Sequence, residues 1–416
     1  MTPSPQKARR SLWALVGADS LSRLGDIITL TAIPWFVLET TGSASKTGLT
    51  VFAGALAVVI SLFFGGAVVD RIGYRSASIV GDLASGATVA LIATLHLTVG
   101  LPFWLLVSLV FTGTLLDLPA QVARYSVLPD AADLAGIPFE RANAMLEAGI
   151  TGGALLGPAL AGILIATLGA ANVLWFDVGT FLFSALLVAT GLPGTLKRDE
   201  DGASTSGVLH ALAEGLRFVR NEPVLLPLIL FLAAMNLAVG PVESLLLPVY
   251  ASEVFDSAVM LGIMAAALAA GSLGGNLVAG SIGHRLPRRE VLLLGFLAIP
   301  LGLLALAPLP PAVVVLPVLA VVGFGLSLTN MVEYAVYFER IPGSMRARLL
   351  GITGAIGWLS VPAGRIIFGF MIERLSLGAA LWSLGLVTLP IPFTVLLVRS
   401  LRSGLNTRSM PASPAE

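Results

Sequence analysis

The sequence predicts an all-α membrane protein with twelve transmembrane helices, arranged as two pseudo-symmetric six-helix bundles. Three observations carry this prediction. Of the 416 residues, 56% are apolar and only 12% are charged, which is about half the charged fraction of a typical soluble domain. Twelve apolar runs are long enough, at about 20 residues each, to cross about 30 Å of hydrocarbon. The second half of the chain also repeats short motifs of the first half.

The apolar runs fall into two sets of six on either side of a polar interval. The first set comprises Leu12–Leu38, Thr47–Val69, Ser76–Thr98, Leu101–Val122, Ala144–Leu168 and Asn172–Leu192. The second set comprises Val224–Tyr250, Ala258–Gly283, Val291–Ala307, Val313–Tyr337, Leu349–Ile372 and Gly378–Val398. The first run is too long for a signal-peptide core and ends without a small-residue cleavage site, so we expect it to be a retained helix.

The polar interval divides the chain into four regions. We expect a first bundle at 1–192, a cytoplasmic linker at 193–223, a second bundle at 224–398 and a disordered cytoplasmic tail at 399–416. Within the linker, Val208–Arg220 carries apolar residues at helical spacing, which predicts a short amphipathic helix at the membrane surface. The tail is polar and contains proline and serine, a composition typical of disorder.

The distribution of basic residues predicts the orientation. With both termini in the cytoplasm, all but four of the 24 lysines and arginines fall on the inner side or in inner loops. The exceptions are Lys46 and Arg374, which fall outside, and Arg23 and Arg365, which lie within helices. Cytoplasmic loops of membrane proteins carry such an excess of basic residues. The sequence therefore predicts a multi-pass protein of the cytoplasmic membrane, with a helix count and an orientation that support each other.

An internal repeat relates the two halves. The segment Gly66–Arg75 aligns with Gly280–Arg289, and the same register superposes Pro34 on Pro248. Duplicated six-helix units are typical of transporters in which two halves move about a central site. We therefore expect a pseudo-twofold axis along the membrane normal and a central cavity.

The first copy of the repeat carries the motif Gly66-x-x-x-Asp70-Arg71-x-Gly73-x-Arg75. It resembles the loop signature of the major facilitator superfamily between the second and third helices. The resemblance implies that Asp70 accepts bonds from a helix N-terminus or from an arginine, while Arg71 and Arg75 hold the two halves together in one state. The alternative is an ordinary positively charged inner loop.

Two further observations bear on this gating motif. Arg124, at the inner end of the fourth helix, is a candidate partner for Asp70. The second copy has His284 where the first has Asp70, followed by Arg285. We therefore expect the interlock of the second half to be weaker or dependent on pH.

The fifth predicted helix carries a second motif, formed by Gly153, Gly157, Pro158 and Gly162. It resembles the signature of drug exporters in the same superfamily, with Ala161 in place of one of its final glycines. Small residues four apart allow close approach of two backbones, and proline lets a helix bend. The resemblance implies a seal against the eighth helix; the alternative is plain packing of small residues.

The first helix carries Asp19, Arg23 and Asp26 on one face, because they are spaced at i, i+4 and i+7. Ionisable groups within a membrane span are costly and are functional candidates by default. We expect Asp26, paired with Arg23, to couple proton uptake to conformational change. The alternative is an ion pair that only joins helices.

The same helix supports a closer resemblance. The segments Leu24–Asp26 and Ala32–Leu38 resemble the first helix of the macrolide-efflux and Tap-like branch of drug:proton antiporters, and the resemblance extends over nearly the whole chain. It implies a secondary active exporter of small amphipathic, drug-like molecules that works by proton antiport with alternating access. We also considered export of a siderophore or another dedicated metabolite, and a membrane sensor or scaffold that does not transport.

Other polar residues within the apolar runs are secondary candidates. Glu243 in the seventh helix is the reserve proton-coupling carboxylate, and Asn236, Glu243, Tyr334 and Arg365 are candidates for the substrate cavity. The carboxylates expected to belong to a cytoplasmic gate network are Asp117, Glu147 and Glu333, and Asp177 is expected to be solvated near the outer end of its helix.

Composition also excludes several function classes. The chain has no cysteine, and its three histidines are far apart in sequence, so we expect neither a metal centre nor a cysteine enzyme. No nucleophile, base and orienting residue stand at a catalytic spacing, and nothing favours nucleic-acid binding or a cofactor. The expected partners are a small-molecule substrate, protons and the lipid bilayer, with the protein acting as a monomer.

Overall fold

The structure is a computed structural model that describes residues 5–192, 217–341, 346–398 and 401. Its contacts divide the chain into two compact units. The first unit comprises residues 1–200 and Ser244–Ala266, and the second comprises residues 201–243 and 267–416. Of the predicted linker, residues 217–221 are helical. The rest of the predicted amphipathic helix, and the predicted tail apart from Leu401, lie outside the described residues.

Six long helices build most of the first unit. They are α1 (Pro5–Thr41), α2 (Ala44–Ile72), α3 (Tyr74–Thr98), α4 (Phe103–Ala135), α5 (Phe139–Leu168) and α6 (Ala170–Gly191). The remaining helices are α7 (Leu225–Pro241), α8 (Leu247–Phe255), α9 (Ala258–Ile282), α10 (Arg288–Leu306), α11 (Ala312–Arg340), α12 (Arg346–Leu375), α13 (Leu377–Thr388) and α14 (Thr394–Leu397). A π-helical turn at Val242–Leu246 joins α7 to α8, and two short 3₁₀ turns lie at Gly283–Arg285 and Ile391–Phe393.

By length and composition, eleven helical segments within the described residues can cross a membrane. Six of them belong to α1 through α6, and the seventh runs continuously from α7 into α8 over Leu225–Phe255. Three more belong to α9, α10 and α11, and the last covers Leu377–Leu397. The predicted eleventh helix corresponds to α12, a 30-residue helix.

Two predicted helices are less regular than hydropathy suggested. The predicted helix Gly378–Val398 is divided into α13, a 3₁₀ turn and α14, because Pro390 and Pro392 each lack the N–H that an α-helix needs. The fourth helix, predicted to end at Val122, continues to Ala135. Hydropathy marks only the apolar part of a helix, whereas the backbone of α4 ends where Gly136 adopts the left-handed conformation with φ of 65°.

Local chemistry sets the turns between the first helices. The side chain of Ser43 accepts a hydrogen bond from the Lys46 backbone N–H and so caps the start of α2. Gly73 ends α2 and precedes α3 with φ of 83°. A side chain at that position would be strained, which explains the glycine in the loop motif.

Helix α1 lies at the centre of the first unit, where it packs against α4, α5 and α6. Its first half belongs to one apolar cluster, in which Leu15 packs with Val127 and Leu128 of α4. Its second half belongs to another, in which Phe36 packs with Leu174 of α6. The polar residues of α1 therefore lie between two tightly packed apolar layers.

Candidate functional site

Arg124 of α4 is the centre of a buried charge network in the first unit. Its Nε donates to Asp19 Oδ1 at 3.0 Å, and its Nη1 lies 2.8 and 2.9 Å from the two oxygens of Asp82. Asp19 also accepts from Arg23 Nε at 2.7 Å. Two arginines thus face two carboxylates, and the network is balanced in charge.

Serine hydroxyls surround the same guanidinium. Arg124 Nη2 lies 3.3 Å from Ser22 Oγ, and Nη1 lies 3.3 Å from Ser78 Oγ. Ser184 of α6 donates to Asp82 Oδ2 at 2.7 Å. A buried charge is stable only when it is paired and its hydrogen bonds are made. The network therefore joins α1, α3, α4 and α6 around one side chain.

These contacts bear on two expectations. Arg124 was a candidate partner for Asp70; its guanidinium bonds to Asp19 and Asp82, and because the side chain of Asp70 is outside the described side chains, that pairing stays a prediction. The expected pair between Arg23 and Asp26 is wrong, because Arg23 bonds to Asp19 one turn away on the same helix. Asp82 was missed in the sequence, although Ser78, Asp82 and Ser85 share one face of α3 at i, i+4 and i+7.

Asp26 lies near the middle of the span Arg9–Thr41 and is half-buried. Its Oδ2 accepts from Gln121 Nε2 of α4 at 3.1 Å. The same nitrogen donates to Asp117 Oδ2 at 2.6 Å. Asp117 was expected in a cytoplasmic gate, but the structure brings it to Asp26 through a glutamine that the sequence analysis did not single out.

The spacing explains how these residues meet. On α4, Asp117, Gln121 and Arg124 share a face at i, i+4 and i+7, as Asp19, Arg23 and Asp26 do on α1. The two faces oppose each other in reverse order, so that Asp19 meets Arg124 while Asp26 meets Gln121. Seven residues of helix separate Asp19 from Asp26 by about 10 Å. The charge network around Arg124 and the cluster of Asp26, Gln121 and Asp117 are therefore neighbours. We call the two facing rows of polar residues on α1 and α4 the polar seam.

Asp177 of α6 packs against α1 at Gly25 and Thr29, next to Asp26 along the chain. It was expected to be solvated, but it is only 1% exposed, which corrects that expectation. Thr29 Oγ1 donates to its Oδ2 at 2.6 Å, and Thr180 Oγ1 donates to its Oδ1 at 3.0 Å. A Cβ at Gly25 would collide with both Asp177 and Thr180. Glycine before Asp26 thus lets α6 approach α1 closely enough to bury the carboxylate.

The glycines of the exporter motif place α5 against two helices. A Cβ on Gly157 would lie 2.5 Å from Ile27 Cγ2 of α1, and one on Gly153 would lie 3.4 Å from Ile27 Cδ1. A Cβ on Gly162 would lie 2.7 Å from the Ala258 carbonyl oxygen and 2.8 Å from Gly262 Cα, at the start of α9. All these atoms belong to the first unit, and the approach of α5 to the eighth span leaves no room for a side chain at position 162.

The loop motif is described in part. Arg71 is exposed, and Arg75 Nη2 donates to the Ala189 carbonyl oxygen near the end of α6 at 2.5 Å. Gly66, Asp70 and His284 are placed within their backbone elements, but their side chains are outside the described set. Arg285 is exposed. Arg75 therefore ties the loop to α6, and the interlock of Asp70 stays a prediction.

In the second unit, Glu243 lies in the π-helical turn, inside the seventh span, and its side chain is exposed. Arg365 of α12 is its charged neighbour, and Arg365 Nε donates to the Gly240 carbonyl oxygen at 3.5 Å. A Cβ on Gly240 would lie 2.6 Å from Val361 Cγ1. Close packing of α7 and α12 therefore brings the carboxyl group of Glu243 and the guanidinium of Arg365 into one region. Glu243 also lies in a π-helical turn, and such turns often mark functional positions.

The other cavity candidates are dispersed over the second unit. Asn236 is half-buried on α7, two turns before Glu243. Tyr334 of α11 is 55% exposed and stacks edge-on against Tyr337, with ring centroids 6.5 Å apart. Of the expected gate carboxylates, Glu147 is exposed and Glu333 is half-buried.

Ion pairs that the sequence analysis missed lie at the ends of helices in the second unit. Arg288 donates to both oxygens of Glu339 at 2.6 Å, which joins the start of α10 to the end of α11. Arg340 lies 3.3 Å from Glu222. Among the described residues, no group of three or more histidines, cysteines or carboxylates is arranged to hold a metal ion.

Charged side chains buried among long apolar helices define a class of protein, the multi-pass membrane transporter, because ionisable residues at that depth are retained mainly for substrate or ion pathways. The chain belongs to the Major Facilitator Superfamily, whose family model matches residues 16–364 and again 243–414. This match confirms the predicted fold class and the prediction of a transporter rather than an enzyme.

Relatives place the chain within that superfamily. It is 32% identical to the multidrug efflux pump Tap of Mycolicibacterium fortuitum over 97% of this chain and 99% of that protein. It is 29% identical to Tap of Mycobacterium tuberculosis strain H37Rv over 91% of both chains. Macrolide efflux protein A of Streptococcus pyogenes is 22% identical over 88% of this chain and 89% of that protein. The resemblance to the macrolide-efflux and Tap-like branch is thus confirmed.

Solved structures with the same fold have little sequence in common with this chain. The nucleoside transporter NupG superposes with a TM-score of 0.75 at 13% identity, covering 93% of this chain and 98% of that one. A POT family transporter superposes with a TM-score of 0.70 at 12% identity, covering 96% and 97%. These similarities concern the fold alone.

Proposed function

We propose that this protein is a secondary active exporter of small amphipathic, drug-like molecules, driven by proton antiport with alternating access. Full-length similarity to multidrug efflux pumps supports the export of drugs. The observation that carries the coupling is Asp26, a carboxylate near the middle of a span that bonds to an amide instead of an arginine. A carboxylate in that position can gain and lose a proton without breaking an ion pair.

The proposed coupling rests on the cost of charge inside a membrane protein. Desolvation disfavours an ionised carboxylate, so Asp26 is neutral when its surroundings are dry and ionises when water or a cation reaches it. Alternating access changes which side of the membrane reaches the site. Glu243 is the reserve coupling residue, although its neighbour Arg365 favours a role in binding substrate.

Small-residue contacts support the proposed conformational change. At Gly162, α5 approaches α9 through backbone atoms of Ala258 and Gly262. Small residues let two helix backbones come this close, and the proposal is that this contact opens and closes during transport. Asp70 and Arg75 of the loop motif would hold the opposite end of the bundle in the alternate state.

The proposal includes a cytoplasmic membrane location, cytoplasmic termini and a monomer as the working unit. The strong inner bias of lysine and arginine supports the orientation.

Transport by purified protein in liposomes tests the proposal. Ethidium, a fluorescent amphipathic cation, serves as the probe, and a pH gradient of defined direction is imposed across the liposome membrane. We expect ethidium movement that reverses with the gradient and collapses with a proton ionophore. Movement that follows an imposed sodium gradient, or that ignores every gradient, would contradict proton antiport.

A cellular measurement separates drug export from export of one metabolite. Expression in a drug-hypersensitive bacterial host should raise resistance to several chemically unrelated compounds. Rescue of a single metabolite-export mutant, without any change in drug resistance, would instead favour a dedicated exporter.

A further inference from the structure

Asp26 and Asp117 lie on two sides of a single amide nitrogen. Gln121 Nε2 is 3.1 Å from Asp26 Oδ2 and 2.6 Å from Asp117 Oδ2. The amide has two N–H donors, so it can serve one oxygen of each carboxyl group. The two acids come from different helices, α1 and α4, and this glutamine holds them in one place.

The second oxygen of Asp117 is unsatisfied. Asp117 is 7% exposed, and its Oδ1 is buried with no hydrogen-bond partner among the described residues. A buried acceptor without a donor is unfavourable, and more so when the group is charged. A proton on this carboxyl group removes its charge and thus most of that penalty. The orphaned oxygen therefore points to a proton as the missing ligand.

Neither acid has a counter-ion bonded to it among the described residues. The charged groups that face Asp26 and Asp117 are Asp177 of α6, Asp82 of α3 and Arg124 of α4. Arg124 is bonded to Asp19 and Asp82. Within the described parts of the chain, no lysine or arginine forms an ion pair with Asp26 or Asp117.

Electrostatic repulsion then couples the two acids. Two carboxylates that share a site in a poorly hydrated interior cannot both ionise at low cost, so their protons bind as a pair. Asp177 differs, because two threonine hydroxyls donate to it. Asp177 is a buried acid of the same unit, but it is not bonded to Gln121.

We propose that Asp26 and Asp117 form one shared proton site, with Gln121 as the positioning residue that holds them together. Under the proposed function, Asp117 becomes a second coupling carboxylate, and the proton leaves the pair for water on the side to which the site is open. Proton binding by the pair is a property of the protein itself, so it can be tested without a transported substrate.

The test is infrared spectroscopy of the purified full-length protein in detergent during a pH titration. The carboxylic acid C=O band reports protonated acids. If the site is shared, Asp26→Asn lowers the titration midpoint of the remaining acid by at least about one pH unit, because the neighbouring negative charge is gone. Asp117→Asn has the same effect on Asp26, and the double variant lacks the step altogether.

Two further variants guard against trivial outcomes. Asp177→Asn is the control for loss of a nearby charge that does not bond to Gln121, and we expect the titration step of the pair to move less than in either pair variant. Gln121→Leu keeps both acids but removes the clamp, so the band should change frequency and the step should broaden or split. Independent titration of Asp26 and Asp117, with neither affected by loss of the other, would overturn the proposal.

A transport measurement distinguishes failure of this proposal from failure of the proposed function. In liposomes with an imposed pH gradient, Asp117→Asn should lose proton-driven ethidium movement at least tenfold, as Asp26→Asn does. Retained coupling in Asp117→Asn, beside coupled wild type, would overturn the role of Asp117 while leaving proton antiport in place. If the infrared titration shows that the two acids share a proton, but wild type shows no proton-driven transport, the shared proton site is supported and the proposed function is contradicted.

Discussion

Arg124 Nη1 lies within 2.9 Å of both carboxylate oxygens of Asp82, and neither side chain has any measurable exposure. One cation thus joins α4 to α3 in the interior of the first unit. Because Asp82 bonds only to Nη1, the Nε of Arg124 is free to donate to Asp19 of α1. The polar seam therefore contains an ion network centred on Arg124 and, beside it, the acids Asp26 and Asp117, which are not bonded to any arginine among the described residues.

Removing Arg124 should destabilise the protein strongly. Arg124→Gln leaves Asp19 and Asp82 buried without their main counter-ion, and breaking a buried pair in this way costs about 3–5 kcal/mol. The matched control is Arg23→Gln, which removes the other arginine bonded to Asp19 at a position where 24% of the side chain is exposed. Partly exposed pairs contribute at most about 1 kcal/mol. Thermal melting in detergent should show a large loss for the first variant and a small loss for the second; equal losses would argue against the central role of Arg124.

Glycine at position 162 should be required for transport. Gly162→Ala places a Cβ within 2.9 Å of Gly262 and Ala258 backbone atoms, which cannot move aside as a flexible side chain does. Separating α5 from α9 there should slow ethidium transport several-fold. Gly152→Ala on the same helix is the control, since its Cβ would meet nothing within 4 Å. Equal transport rates in the two variants would show that the close approach is not used.

Neutralising the acid of the loop motif should impair transport without loss of protein. Asp70→Asn removes a charge but keeps the side-chain shape, so the amount of protein in the membrane should stay close to wild type. If Asp70 holds one conformational state, the rate of efflux should fall at least tenfold. Efflux at the wild-type rate would reduce the motif to a signal for membrane orientation.

Much of the fold follows from hydropathy and charge. Runs of about 20 apolar residues that cross a bilayer must be helical, and the distribution of arginine predicts their direction. What hydropathy misses is backbone chemistry. The polar end of α4 after Val122 is as helical as its apolar part, and the prolines at 390 and 392 interrupt a run that is mostly apolar.

The candidate site was harder to predict because it depends on pairing between helices. The face shared by Asp19, Arg23 and Asp26 is visible in one helix, but the sequence does not say which residues oppose it. The structure assigns Asp19 to Arg124 and Asp26 to Gln121. The matching spacing of Asp117, Gln121 and Arg124 on α4 was the available signal.

Substrate-induced proton movement in Asp26→Asn is the most direct test of the central claim, which is that Asp26 carries the coupled proton. Purified wild type and Asp26→Asn are placed in liposomes containing a pH-sensitive dye, and ethidium is added without an imposed gradient. The wild type should move protons against ethidium, while Asp26→Asn should move none and yet bind ethidium within about tenfold of wild type, or about 1.4 kcal/mol. Proton movement at the wild-type rate in Asp26→Asn would contradict the account and transfer the coupling role to Glu243 or to another residue.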